Sequence, residues 1–145
     1  MVVNDVFNFI FVHVPKVGGT SIRNSLCRLE GNNTMATART KHETPSEFLR
    51  NYQARTGKSV KFIDQYTFFG FVRNPWDRVC SLHKYLLDRS GQFPNVSSDV
   101  NVFVEDIYRR PQWAASIRSL RPQSNFFDTN NFWVGRFEAL ERDFS

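Results

Sequence analysis

The sequence predicts an α/β fold in which a parallel β-sheet is flanked by helices. A strand–turn–helix pattern occurs twice, first from Val6 onward and again from Tyr66 onward. Both strand segments are apolar at successive positions, as expected of strands covered on both faces, and this favours parallel strands joined by helical crossovers. The chain of 145 residues, 41% hydrophobic and 15% aromatic, is long enough to enclose one core without disulfide or metal staples. Residues 1–145 are therefore expected to form a single domain.

The first segment, Val6 to Val12, is rich in β-branched and aromatic residues and reads as a buried strand. It runs into Pro15-Lys16-Val17-Gly18-Gly19, a turn, after which Thr20-Ser21 opens a helix with Ile22, Leu26 and Leu29 on one face and Gly31 as its stop. The polar stretch from Thr34 to Glu43 reads as loop. Thr44 is an expected N-cap, Pro45 the first helical residue and Glu47 its capping-box partner, for a helix reaching about Arg55 and ended by Gly57.

The second strand, Tyr66 to Val72, ends in Arg73-Asn74-Pro75, with Asn74 as N-cap and Pro75 at the first helical position. The helix that follows is expected to carry Trp76, Val79, Cys80, His83, Leu86 and Leu87 on one stripe and to stop before Gly91. Asp99 to Tyr108 reads as another helix, Phe132 to Phe137 as a third strand, and Glu138 to Phe144 as the start of a last helix.

Composition narrows function only slightly. Nineteen Lys and Arg against 14 Asp and Glu give a net charge of +5, compatible with an anionic small ligand, an acidic polymer or an ordinary solvated surface. Two cysteines and three histidines do not point to a disulfide framework or a metal centre, and no metal is expected. No apolar run reaches the length of a membrane span and no signal-peptide pattern is present, so a cytoplasmic protein with thiol cysteines is the expectation.

In parallel α/β sheets ligands sit where strand ends turn into helices. Both informative turns lie there. In Pro15–Ser21 two glycines permit close approach of backbone amides, the helix start offers N–H donors and its positive dipole end, Thr20 and Ser21 add hydroxyls and Lys16 a cation. This suits a phosphate or sulfate. It is not the nucleoside-triphosphate loop, where Lys directly precedes Ser or Thr; the bland reading is a Gly-Gly turn with a solvated Lys. At the second turn Arg73 stands at a strand end, and Ser81 lies about 9 Å further along the helix than Pro75. The pair could grip one phosphate from two sides; alternatively Arg73 forms a surface ion pair and Ser81 bonds its own helix.

Taken together, His-Val-Pro-Lys-Val-Gly-Gly-Thr-Ser and Phe-Val-Arg-Asn-Pro-Trp-Asp-Arg-Val-Cys-Ser closely resemble the superfamily of sulfotransferases that use 3′-phosphoadenosine 5′-phosphosulfate (PAPS), best in the carbohydrate branch with its heparan and chondroitin enzymes and bacterial relatives. Gly135-Arg136-Phe137-Glu138 resembles a later strand-to-helix element of that branch. The resemblance implies a P-loop-like sheet. It also implies an enzyme of the PAPS-dependent sulfotransferase type that moves a sulfuryl group to a hydroxyl or amine, leaving 3′,5′-ADP. Lys16, Gly18, Gly19, Thr20 and Ser21 would hold the 5′-phosphosulfate, Lys16 acting also in catalysis, and Arg73 and Ser81 the 3′-phosphate. His42 is the first choice of general base and Glu43 the second. The acceptor implied is a glycan or other hydroxyl-bearing small molecule, with no metal and no nucleic acid. Because family domains continue past the Arg-Phe-Glu element, the fold is expected to be C-terminally truncated.

Two other readings compete: a non-catalytic module that holds nucleotide or an acidic polymer, and a kinase with a divergent phosphate loop. His13 and His83 are expected to be packed core residues. Trp113, Phe126, Phe127, Phe132 and Trp133 are expected in the core rather than stacked on a ligand, and no spacing argument ties Gln123 or Arg136 to an acceptor.

Overall fold

A computed structural model describes residues 1–32, 42–57 and 64–143. The chain divides into two compact units, Met1–Val72 with Gln123–Ser145, and Arg73–Pro122.

The first unit is built on a four-stranded sheet in the order β1-β2-β3-β4, comprising β1 (Val2–Asn4), β2 (Phe9–Phe11), β3 (Thr67–Val72) and β4 (Phe132–Arg136). β2 pairs with β3 and β3 with β4 in parallel, with Ile10 opposite Phe68 and Val72 opposite Arg136. This is the parallel α/β sheet expected, with one departure. The segment read as a single strand from Val6 is instead the turn and second arm of an antiparallel hairpin, Val2 pairing with Phe11. Asn4 makes the turn. Its buried side chain accepts from the amides of Val6 and Phe7 at 3.0 and 2.8 Å and donates to the Glu30 carbonyl at 2.8 Å. Such local side-chain bonding outcompetes a strand ladder, and Asn8 adopts a left-handed φ of 53°. Val6 and Phe7 are consequently exposed.

Helix α1 (Gly19–Leu26) buries Ile22 and Leu26 but ends earlier than expected, leaving Leu29 outside it and exposed. Each of the two buried aliphatic side chains contributes about 1.5–3 kcal/mol. Helix α2 (Pro45–Thr56) forms as its sequence dictates: Thr44 accepts from the Glu47 amide, Glu47 returns the bond to the Thr44 amide, and left-handed Gly57 closes the far end. It adds Phe48 and Tyr52 to a core that also holds Ile10, Phe11, Phe68, Phe71 and Phe126. After β4 a 3₁₀ turn (Phe137–Ala139) leads into the short α6 (Leu140–Asp143).

The second unit contains α3 (Pro75–Leu87), α4 (Val100–Arg109) and α5 (Pro111–Ser116). Asn74 caps α3, its side chain accepting from the Trp76 amide, and Asp99 caps α4. The buried stripe of α3 is rotated from the expected one. Arg78, Leu82, His83 and Leu86 are buried, whereas Trp76 and Cys80 are exposed. Leu82 and Leu86 join Phe103 and Ile117 in a separate small core, which orients the helix by its aliphatic residues rather than by its tryptophan. Helix α5, begun by Pro111, was not anticipated. No described helix is long and apolar enough to cross a membrane.

Candidate functional site

Two residues of the Pro15–Ser21 turn have left-handed backbone: Lys16 with φ 66° and Gly18 with φ 72°. For lysine this conformation costs about 1–2 kcal/mol relative to ordinary backbone. Val17, between them, is fully buried and anchors the loop in the core. Gly18 is the N-cap of α1, with no side-chain cap and no acidic residue in the first turn. The amide of Ser21 bonds back to Gly18 at 3.1 Å, while Thr20 and Ser21 are both exposed. The turn thus brings a half-buried lysine to within a few residues of a positive helix end, where an oxyanion is favoured.

Each glycine of the turn is faced by a ring. A Cβ on Gly18 would lie 2.4 Å from Cε2 of Phe137, and one on Gly19 would lie 2.2 Å from Cδ2 of His13. Neither position admits a side chain without displacement, which explains both glycines by contact and Gly18 by φ as well.

His13 is buried, as expected of a core histidine, but it also touches the loop. Its ring centroid is 4.5 Å from that of His42, in an edge-on arrangement. Nδ1 of His42 lies 2.7 Å from the main-chain oxygen of His13. A carbonyl only accepts, so Nδ1 of His42 carries the proton and the lone pair of the neutral ring falls on Nε2. His42 therefore stands beside the histidine that contacts Gly19. Most of the preceding polar stretch, residues 33–41, lies outside the described residues.

Glu43, the second choice of base, has other work. It is buried and bonded to Arg55 and to Asn51. Burial pushes its carboxyl up, but the bonds and charge of Arg55, aided by Asn51, outweigh that and hold it below the ordinary value. A carboxylate held this way is a poor proton acceptor and a good anchor for the start of α2.

Arg73 and Ser81 belong to the second unit. Arg73 directly precedes the N-cap of α3, Ser81 lies on its second turn, and both are half-buried. Arg78, three residues after Pro75, is buried and donates to the carbonyls of Ser119 and Arg121 at 2.7 and 3.0 Å. Burial lowers its pKa from the usual arginine value. It pins the turn at 118–121 to α3, a role its position in the motif does not announce. His83 is packed as expected, its Nε2–H donating to the Ser97 carbonyl at 2.7 Å with its ring 4.9 Å from Phe103.

The sequence pattern of the sulfotransferase family matches residues 1–143, spanning both units. The chain belongs to the sulfotransferase family. No curated protein and no solved structure matches it. For a sulfotransferase, the Lys16–Ser21 turn at the end of β2 and Phe137 after β4 both lie at the carboxyl end of the parallel strands, where ligands bind in such sheets. Sequence reasoning named the turn and His42 but missed His13 and Phe137 as its neighbours. The paired glycines signal that something packs closely against the loop, but not which ring does so.

Proposed function

We propose that this sulfotransferase is PAPS-dependent and transfers a sulfuryl group to a hydroxyl, or an amine, of a carbohydrate acceptor, with 3′,5′-ADP as the other product. The observation that carries this reading is the backbone of Lys16 and Gly18. Two left-handed residues turn the chain at an uncapped helix start, and a strained lysine backbone is kept where a cation is needed.

PAPS, when bound, supplies a sulfate already activated by its phosphate leaving group. Lys16 and the amides of Gly18, Gly19 and Thr20 balance the charge that grows on the leaving oxygen in an in-line transfer. Thr20 and Ser21 add hydroxyl donors. The loop fits such a group because Gly18 is exposed at the start of α1 and the first turn of that helix carries no carboxylate to repel an anion. His42 takes the acceptor proton at Nε2, its Nδ1–H being held by the His13 carbonyl. The assignment of Arg73 and Ser81 to the 3′-phosphate rests on the second sequence motif.

Thermal-shift titration tests this reading against its competitors. Stabilisation by 3′,5′-ADP and PAPS, with release of 3′,5′-ADP when acceptor glycans are added, is expected. Nucleotide binding without turnover would favour a non-catalytic module. Stabilisation only by ATP with Mg²⁺ would favour a kinase, and a response only to heparin, lost with salt, a polyanion-binding surface.

A further inference from the structure

We propose that Phe137 is a positioning residue of the anion-binding turn, holding Gly18 in its left-handed conformation and so setting the spacing of the amides that follow. The inference extends the donor-binding reading above, although its structural part stands without it. Phe137 is the residue after β4, and β4 is fixed on both sides of that point. Arg136 pairs with Val72 of β3, and its amide donates to the Asp143 carboxylate at 2.9 Å. The Asp143 carboxyl is held below its ordinary value by that amide bond, then by Arg142. The end of β4 is therefore clamped before the half-buried ring begins.

That ring occupies the space where a side chain on residue 18 would stand, with Cε2, Cδ2 and Cζ at 2.4, 3.1 and 3.5 Å from the ideal Cβ position. Gly18 itself is exposed and is the N-cap of α1. An exposed glycine with φ 72° has little local restraint of its own. Contact with a ring on a clamped strand end supplies one, and Val17, buried on the preceding residue, supplies the other. The third sequence element thus acts on the first through van der Waals contact, before any ligand arrives. Preorganised donors lower the ordering cost of binding.

Five proteins test this: the parent, Phe137→Ala, Phe137→Leu, Gly18→Ala and the Gly18→Ala/Phe137→Ala double variant. Amide hydrogen exchange at residues 18–21 is one readout and 3′,5′-ADP affinity by calorimetry the other. Phe137→Ala is expected to speed exchange at those amides while β2 and β3 keep parent rates, and to weaken 3′,5′-ADP by about tenfold, a 1.4 kcal/mol change. Phe137→Leu, which keeps most of the bulk, is expected to restore both. Gly18→Ala loses affinity, and the double variant is expected to bind better than the product of the two single losses, because the ring obstructing the new methyl is gone. Parent-like exchange at residues 18–21 in Phe137→Ala, or strictly multiplicative losses in the double variant, would overturn the proposal. If Phe137→Ala does not fold, an unchanged exchange pattern in Gly18→Ala overturns it from the other side of the contact. A parent protein that ignores 3′,5′-ADP while Phe137→Ala still loosens residues 18–21 would instead defeat the donor reading and leave the positioning role standing.

Discussion

The ring of His42 is hydrogen-bonded to the backbone of His13, Nδ1 to oxygen at 2.7 Å. One bond thereby fixes both the orientation of the imidazole and the nitrogen that carries its proton. Because the acceptor is a carbonyl, substitution of the His13 side chain leaves that bond available, and the two histidines can be tested separately. His42→Ala is expected to lower sulfuryl transfer by about 10²–10⁴-fold, the usual contribution of a positioned general base. The acid limb of the pH–rate profile should vanish with it. An unchanged profile for 3′,5′-ADP release would remove His42 from the role.

Lys16 separates conformational from chemical effects. Both Lys16→Ala and Lys16→Gly are expected to abolish transfer, since either removes the ammonium. Their stabilities should diverge, because residue 16 has φ 66°. Glycine is at ease there and alanine is not, so the Gly variant should be more stable than the Ala variant by about 1 kcal/mol. Urea unfolding of the two proteins measures the difference, and equal midpoints would contradict the left-handed assignment.

For Arg73, calorimetry with 3′,5′-ADP is the appropriate readout. Arg73→Ala is expected to weaken binding by about 1.5–3 kcal/mol, the range for a hydrogen bond to a charged group. Unchanged affinity would count against a 3′-phosphate role.

The Glu43–Arg55 pair predicts an acid-side loss of stability. The carboxyl of Glu43 is held below its ordinary value of 4.5 in the fold. The unfolded chain therefore binds the proton more readily than the folded one. The stabilisation is fully present above the ordinary value and is lost as pH falls through the folded one. Glu43→Gln should cost about 1–3 kcal/mol at neutral pH and should flatten the acid slope. Urea midpoints between neutral pH and the acid limit test both, and an undiminished slope in the Gln variant would assign it to other groups.

What was legible in the sequence was chiefly punctuation. Thr44, Pro45, Glu47 and Gly57 specify α2, and Asn74 with Pro75 specifies the start of α3, because capping chemistry is local and each signal acts within a few residues. The Pro15–Ser21 turn before α1 was legible for the same reason. Less legible were features set by distant partners. The phase of α3 depends on Phe103 and Ile117, so exposed Trp76 was assigned to the buried stripe. The hairpin at the start depends on one asparagine, whose buried amide reaches Glu30. The strand-like composition of residues 6–12 concealed it. Phe137 against Gly18, and His13 against Gly19, join residues whose proximity no local pattern records.

The hairpin also bears on how the site comes into being. β1 and β2 join residues only a few positions apart, whereas Ile10 must find Phe68 and Phe68 must find Phe132 across long stretches of chain. Hairpins form within microseconds, while parallel pairings wait on the closure of large loops. The strand that leads into Lys16 is thus available early and the ring that steadies Gly18 arrives late. A newly made chain would hold an unsteadied Lys16–Ser21 loop until β4 docks, and, on the proposed function, slow steps in refolding should be seen first as delayed recovery of 3′,5′-ADP binding rather than of secondary structure.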